Sequence, residues 1–144
     1  MSISLPSLPD DGLLTPEVGA WGDRKYKLVS HFAGTFATAM KLKWDKRVYI
    51  DLFAGPGRVM LKGTDRIVAG SPLLALDVKD RFDKYIFCEQ DLGRMEALKQ
   101  RVRAAAPNAD AAFISGDVNA SVTDILKAMP CYGRWSSPRF DERL

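Results

Sequence analysis

Across residues 23–41 the apolar side chains of Tyr26, Val29, Phe32, Ala33, Phe36, Ala37 and Met40 return every three or four positions, with Arg24, Lys25 and Lys27 between them. That period predicts an amphipathic helix laid against a sheet, with Asp23 as its N-cap. From Val48 to Leu52 the pattern changes to a continuous β-branched, aromatic and aliphatic run broken only by Asp51, which reads as a buried strand entering a loop at Gly55 and Gly57. Residues 58–70 have mixed charge and two glycines, and they read as an insertion before the next helix. Ser71 followed by Pro72 predicts that helix start, a capping hydroxyl ahead of a proline, and the helix continues through Leu73, Leu74, Leu76 and Val78. Tyr85 to Cys88 form a second short apolar strand, ending at Glu89, Gln90 and Asp91. Leu92, Met95, Leu98 and Val102 space a second crossover helix that Pro107 closes, and Ala111 to Ser115 make a third strand ending at Gly116 and Asp117. Ser121 and Asp124 suggest a capping-box variant ahead of a last helix carrying Val122, Ile125, Leu126 and Met129.

Strand and helix units repeated at this length predict an α/β fold built on a Rossmann-like parallel sheet of about three strands, with ligands at the carboxyl ends of the strands. The expected division is an extended arm over residues 1–22, a cofactor-binding domain over 23–129 and an irregular tail over 130–144. The arm carries Pro6, Pro9 and Pro16, with Val18 and Trp21 placed to anchor its end. Within the helical pattern His31, the single histidine, reads as a packing or surface residue rather than a catalytic base.

Composition narrows the class of protein. With 144 residues, 27% charged and 47% hydrophobic, the chain is one ordinary globular domain in size and balance. Its net charge of +3 permits nucleic acid as a partner without arguing for it, because Lys41, Lys43, Lys46 and Arg47 form the one basic concentration and read as a solvated helix end. Cys88 and Cys131 lack metal-ligand spacing, Cys88 lies inside an apolar run, and a reducing cytoplasm is the expected setting with no metal site. No apolar run approaches the length of a membrane span, so no membrane partner is expected.

The three predicted strands each end at or beside an acid, which brings Asp51, Glu89 and Asp117 to one rim with the Gly55 and Gly57 loop. Such residues also recur as plain turn formers at strand ends, a reading that any one of the three acids alone would favour. Together they suit a nucleoside-containing ligand. Glu89, with Gln90 next to it, is placed to accept both hydroxyls of a ribose; Asp117 is placed to accept an adenine amino group, with the Val118 backbone at the ring edge. Asp51 beside the loop suits an ammonium or sulfonium group and would repel a pyrophosphate. A dinucleotide fingerprint needs glycine at position 60, where this chain has Met60. These features favour S-adenosylmethionine over NAD, held at Asp51, Phe53, Ala54, Gly55, Gly57, Glu89, Gln90, Asp117 and Val118.

The segments YIDLFAGPGRV, GSPLLAL, YIFCEQD and GDVN, in this order, resemble the three-Cys-motif partner proteins, a bacterial family with the class I S-adenosylmethionine-dependent methyltransferase fold. DLFAG alone is shared with other methyltransferases, including those acting on nucleic acid; the four segments together are more specific. The resemblance runs over roughly residues 11–129 and covers the insertion before Ser71. It implies cofactor binding at Asp51, Gly55, Gly57, Glu89 and Asp117, and a three-Cys-motif protein as partner. The stretch CYGRWSSPRFDERL after Pro130 departs from the family pattern, in which another strand follows, so the chain reads as the N-terminal half of the fold. The strand over residues 48–52 is then expected at a sheet edge, leaving backbone and apolar surface uncovered and favouring self-association. No residue takes the part of a methyl-acceptor base, so catalytic residues are left unassigned. A methyltransferase or its cofactor-binding half, a noncatalytic partner on the same scaffold, and a nucleotide-dependent oxidoreductase stand as the readings, in that order.

Overall fold

The computed structural model describes residues 4–130. The expected tail, with Cys131, lies almost wholly outside them. The elements run β1 (Glu17–Val18), α1 (Ala20–Met40), β2 (Val48–Asp51), β3 (Arg58–Leu61), β4 (Ile67–Ala69), α2 (Ser71–Leu76), β5 (Lys84–Glu89), α3 (Leu92–Ala105), β6 (Ala111–Ser115) and α4 (Val118–Ala128). The three strands expected from the apolar runs form one parallel sheet in the order β2-β5-β6, with Asp51 opposite Phe87 and Glu89 opposite Ser115. This is a small parallel α/β sheet with flanking helices, consistent with a Rossmann-like fold.

β5 is central, and Tyr85, Ile86, Phe87 and Cys88 are all at or below 1% exposure, which explains why this strand is apolar without alternation. Tyr85 and Phe87 face a core made with Ala33 and Ala37 of α1, Leu76 of α2 and Met95, Leu98 and Val102 of α3. Ile86 and Cys88 face the other way, onto Ile125 of α4. The sheet is therefore covered on both sides, as parallel sheets require. Burial raises the pKa of the Cys88 thiol.

The insertion over residues 58–70 holds two strands. β3 and β4 pair antiparallel around a turn at Gly63, and β1 adds to β3 in parallel, giving a second sheet of order β1-β3-β4 over Leu5, Tyr26, Val59, Leu61, Val68 and Leu74. The alternation of half-buried Arg58 and Met60 with buried Val59 and Leu61 is the strand signal within this stretch. The end of the arm is thereby structured by pairing rather than by its own propensity.

Three caps differ from those expected. α1 starts at Ala20 with Gly19 as N-cap, and Asp23 sits in the first turn, where it pairs with Lys27 at 2.6 Å and favours the positive end of the helix. The bare Cα of Gly22 leaves room for Val18, since a Cβ there would come within 2.8 Å of Val18 Cγ2. α2 takes Gly70 as N-cap and buries Ser71 as its first residue, stopping at Leu76 short of Val78. α4 is capped by Asp117, not by a box at Ser121 and Asp124, because Asp117 Oδ2 already accepts the N–H groups of Asn119 and Ala120 at 3.0 and 3.2 Å.

β2 lies at one edge of its sheet among the described residues, as expected. Beside it Leu28, Phe32 and Phe36 of α1 are exposed, so the apolar face of α1 is only partly spent on the core. Trp21 is also exposed, under Lys25 Nζ at 5.8 Å from its ring centroid; Val18 alone of the two expected anchors packs inward. His31 is on the surface, edge-on to Phe32. No helix among the described residues is long and apolar enough to cross a membrane.

Candidate functional site

The carboxyl ends of β2, β5 and β6 open into a cleft of about 280 Å³. Its lining includes eight of the nine residues expected from the sequence: Phe53, Ala54, Gly55, Gly57, Glu89, Gln90, Asp117 and Val118. Parallel strands in register explain the convergence: β5 and β6 end level at Glu89 and Ser115, β2 ends slightly earlier with Asp51 opposite Phe87, and each hands its next residues to the same rim.

Glu89 is the junction of this rim. Its Oε2 accepts the Gly55 N–H at 2.8 Å and its Oε1 accepts the Asp91 N–H at 3.0 Å, so one carboxylate ties the glycine loop to the turn that starts α3. Ala54 N–H donates to the Cys88 carbonyl at 3.0 Å and continues the β2–β5 ladder past Asp51. Gly55 and Gly57 have φ of +69° and +90°, a region that side-chain-bearing residues rarely occupy. At Gly57 the approach is close as well, because a Cβ would stand 3.3 Å from Leu98 Cδ1 and 3.5 Å from Arg101 Cδ.

On the opposite rim, Asp117 uses Oδ2 for the α4 cap, and Oδ1 carries no hydrogen bond among the described residues. Val118 begins α4, so its N–H has no carbonyl within the helix to meet. Cap geometry and ligand recognition are thus compatible on one side chain.

Asp51 does not line the cleft. Its Oδ1 accepts the Phe53 N–H at 3.3 Å, and its buried Oδ2 has no hydrogen-bond partner among the described residues. The phenols of Tyr49 and Tyr26 are both pushed up by burial and further by the Asp51 charge. Tyr26 does line the cleft, so Asp51 stands one residue behind the wall rather than in it.

The same cleft takes in residues that the sequence did not mark as site candidates: Pro16, Glu17 and Val18 from the arm and β1, Tyr26 from the apolar period of α1, and Arg94 from the first turn of α3. Arg94 had a local signal, since its N–H is the one capped by Asp91 Oδ1 at 2.8 Å. The arm residues had none, because they reach the cleft only through β1 pairing with β3.

A second, larger groove of about 540 Å³ runs between α1 and the β2 edge, lined by Leu28, Phe32, Phe36, Tyr49, Ile50 and neighbouring apolar side chains. Lys25 is its single charged lining residue among those described, so it lacks the convergent polar groups that orient a small ligand. No group of three or more His, Cys, Asp or Glu side chains placed to hold a metal occurs among the described residues. No family model matches the chain, and no curated protein matches it either.

Proposed function

We propose that the cleft binds S-adenosylmethionine and that the chain is the cofactor-binding part of a methyltransferase-like protein of the three-Cys-motif partner type. The observation that carries this reading is Glu89. A carboxylate at the end of the central strand, held against the Gly55 amide, keeps acceptor capacity on both oxygens for the two hydroxyls of a ribose. Asp117 Oδ1 would take the adenine amino group and the Val118 N–H a ring nitrogen. Phe53, exposed at the mouth, and Ala54 would flank the sugar and the methionine arm. Asp51, one residue behind the wall and close to the Phe53 amide, would act on the ligand's ammonium as a nearby negative charge. Bound there, S-adenosylmethionine would supply an electrophilic methyl group, and these side chains would orient it.

A dinucleotide fits less well for a structural reason. After Gly57 the chain enters β3 and not a helix, so the loop lacks the helix N-terminus that receives a pyrophosphate directly after a glycine fingerprint. Gly70, which precedes α2, spends its N–H on the Gly57 carbonyl at 2.8 Å.

Calorimetric titration with S-adenosylmethionine and, separately, with NAD tests the proposal. Saturable binding of the first alone is expected, and binding of NAD alone would sink it. Transfer of labelled methyl from S-adenosylmethionine to a cell extract then separates an enzyme from a noncatalytic module on the same scaffold.

A further inference from the structure

The arm and the glycine loop share one side chain. Arg101 of α3 is buried, at 3% exposure, and all five of its N–H donors are placed. Nε and Nη2 grip Asp11 bidentately at 2.8 and 2.7 Å, Nη2 also donates to Thr15 Oγ1 at 2.9 Å, and Nη1 donates to the Leu14 carbonyl at 2.8 Å. The remaining Nη1 donor goes to the Pro56 carbonyl at 2.8 Å, in the centre of the glycine loop. The stem of the same side chain closes off the space beside Gly57, where a Cβ would stand 3.5 Å from Arg101 Cδ. Arg58, directly after the loop, repeats the link in smaller form by donating to the Pro9 carbonyl at 2.7 Å.

We infer that Arg101 is a positioning residue that couples docking of the N-terminal arm to the shape of the glycine loop, so that ligand binding in the cleft and arm docking reinforce each other. Four of the five donors are satisfied by the arm and one by the loop. If the arm leaves, a buried guanidinium loses most of its partners and cannot stay in place at low cost. It then turns toward water and releases the Pro56 carbonyl. Conversely, a ligand that needs Gly55 and Gly57 in their bound positions favours the docked arm, and linkage makes the two effects equal in size. The arm also supplies Pro16, Glu17 and Val18 to the cleft wall, held by the Met60 N–H on the Pro16 carbonyl and the Lys62 N–H on the Val18 carbonyl, each at 2.9 Å.

The ligand half of this inference rests on the reading of the cleft as an S-adenosylmethionine site; the coupling of arm to loop does not. Hydrogen exchange on the full chain, comparing wild type with Asp11→Ala and the milder Thr15→Val, tests both. Faster exchange is expected across residues 53–58, graded between the two variants, with the β5 amides unchanged. With S-adenosylmethionine present, the wild-type arm should resist protease, and Asp11→Ala should bind about tenfold more weakly. An arm that is cut freely in Thr15→Val or Asp11→Ala while loop exchange stays at the wild-type rate would overturn the coupling. If S-adenosylmethionine fails to bind wild type, the cleft reading falls and the exchange comparison without ligand still decides the coupling.

Discussion

Replacing Glu89 by alanine removes one side chain with two separable jobs. In the folded protein it deletes two charge-assisted hydrogen bonds, to the amides of Gly55 and Asp91. Each such bond contributes about 1.5–3 kcal/mol where fully sheltered. Glu89 and Gly55 are half-buried and Asp91 is exposed, so water recovers part of that loss. The expected destabilisation is about 2–3 kcal/mol, a fall in melting temperature of roughly 10 °C for a chain of this size. For the ligand, loss of both ribose acceptors should weaken binding by about 100-fold or more. Glu89→Gln separates the jobs. Its amide oxygen still serves one backbone N–H, but its NH₂ faces the other donor and cannot accept a hydroxyl. Its stability loss should be about half that of alanine, with affinity still down by more than about tenfold. Thermal unfolding followed by calorimetric titration of each variant with S-adenosylmethionine gives both numbers. Affinity within about twofold of wild type in a folded Glu89→Ala protein would show that Glu89 braces the loop and does nothing for a ligand.

Other substitutions probe the remaining parts. Asp117→Ala should cost about 1 kcal/mol through the lost α4 cap and weaken the ligand, whereas Asp117→Asn should keep most of the cap; helix exchange rates and titration read the two effects. Gly57→Ala should cost about 1–3 kcal/mol, because φ is +90° and the new methyl meets Leu98 and Arg101, and denaturant unfolding measures it. The hydrogen bonds from Arg101 hold the Asp11 carboxyl well below the usual carboxylate range. A depressed folded pKa means the stability from Asp11 is full above the unfolded value of about 4 and is lost as pH falls toward the folded one. The stability gap between wild type and Asp11→Ala should therefore be flat above pH ~5 and shrink below pH ~4; a gap that widens on acidification would contradict the assignment.

How much of this was legible follows from distance along the chain. The parallel sheet was readable because β5 and β6 are apolar runs flanked by helices of clear period, and Glu89 and Asp117 were readable because they stand where strand gives way to helix. The β3–β4 hairpin was hidden in short strands whose alternation is brief and whose Gly63 turn sits among charges. Arg101 was unreadable, since its main partner Asp11 is 90 residues away and the helix pattern gives it only a place in α3. Asp51 was placed at the right strand end, but the run of residues lining the cleft begins after it, at Leu52. The exposed Phe32 and Phe36 looked like core residues because period reports a greasy face and not how much of it the sheet covers.

The most direct measurement is amide chemical-shift mapping of the labelled chain titrated with S-adenosylmethionine. The account predicts saturable shifts at Gly55, Gly57, Glu89, Gln90 and Val118, with smaller ones at Glu17 and Val18 across the cleft. Shifts confined to the groove at Leu28, Phe32 and Ile50, or none at a ligand excess that saturates ordinary cofactor sites, would contradict it.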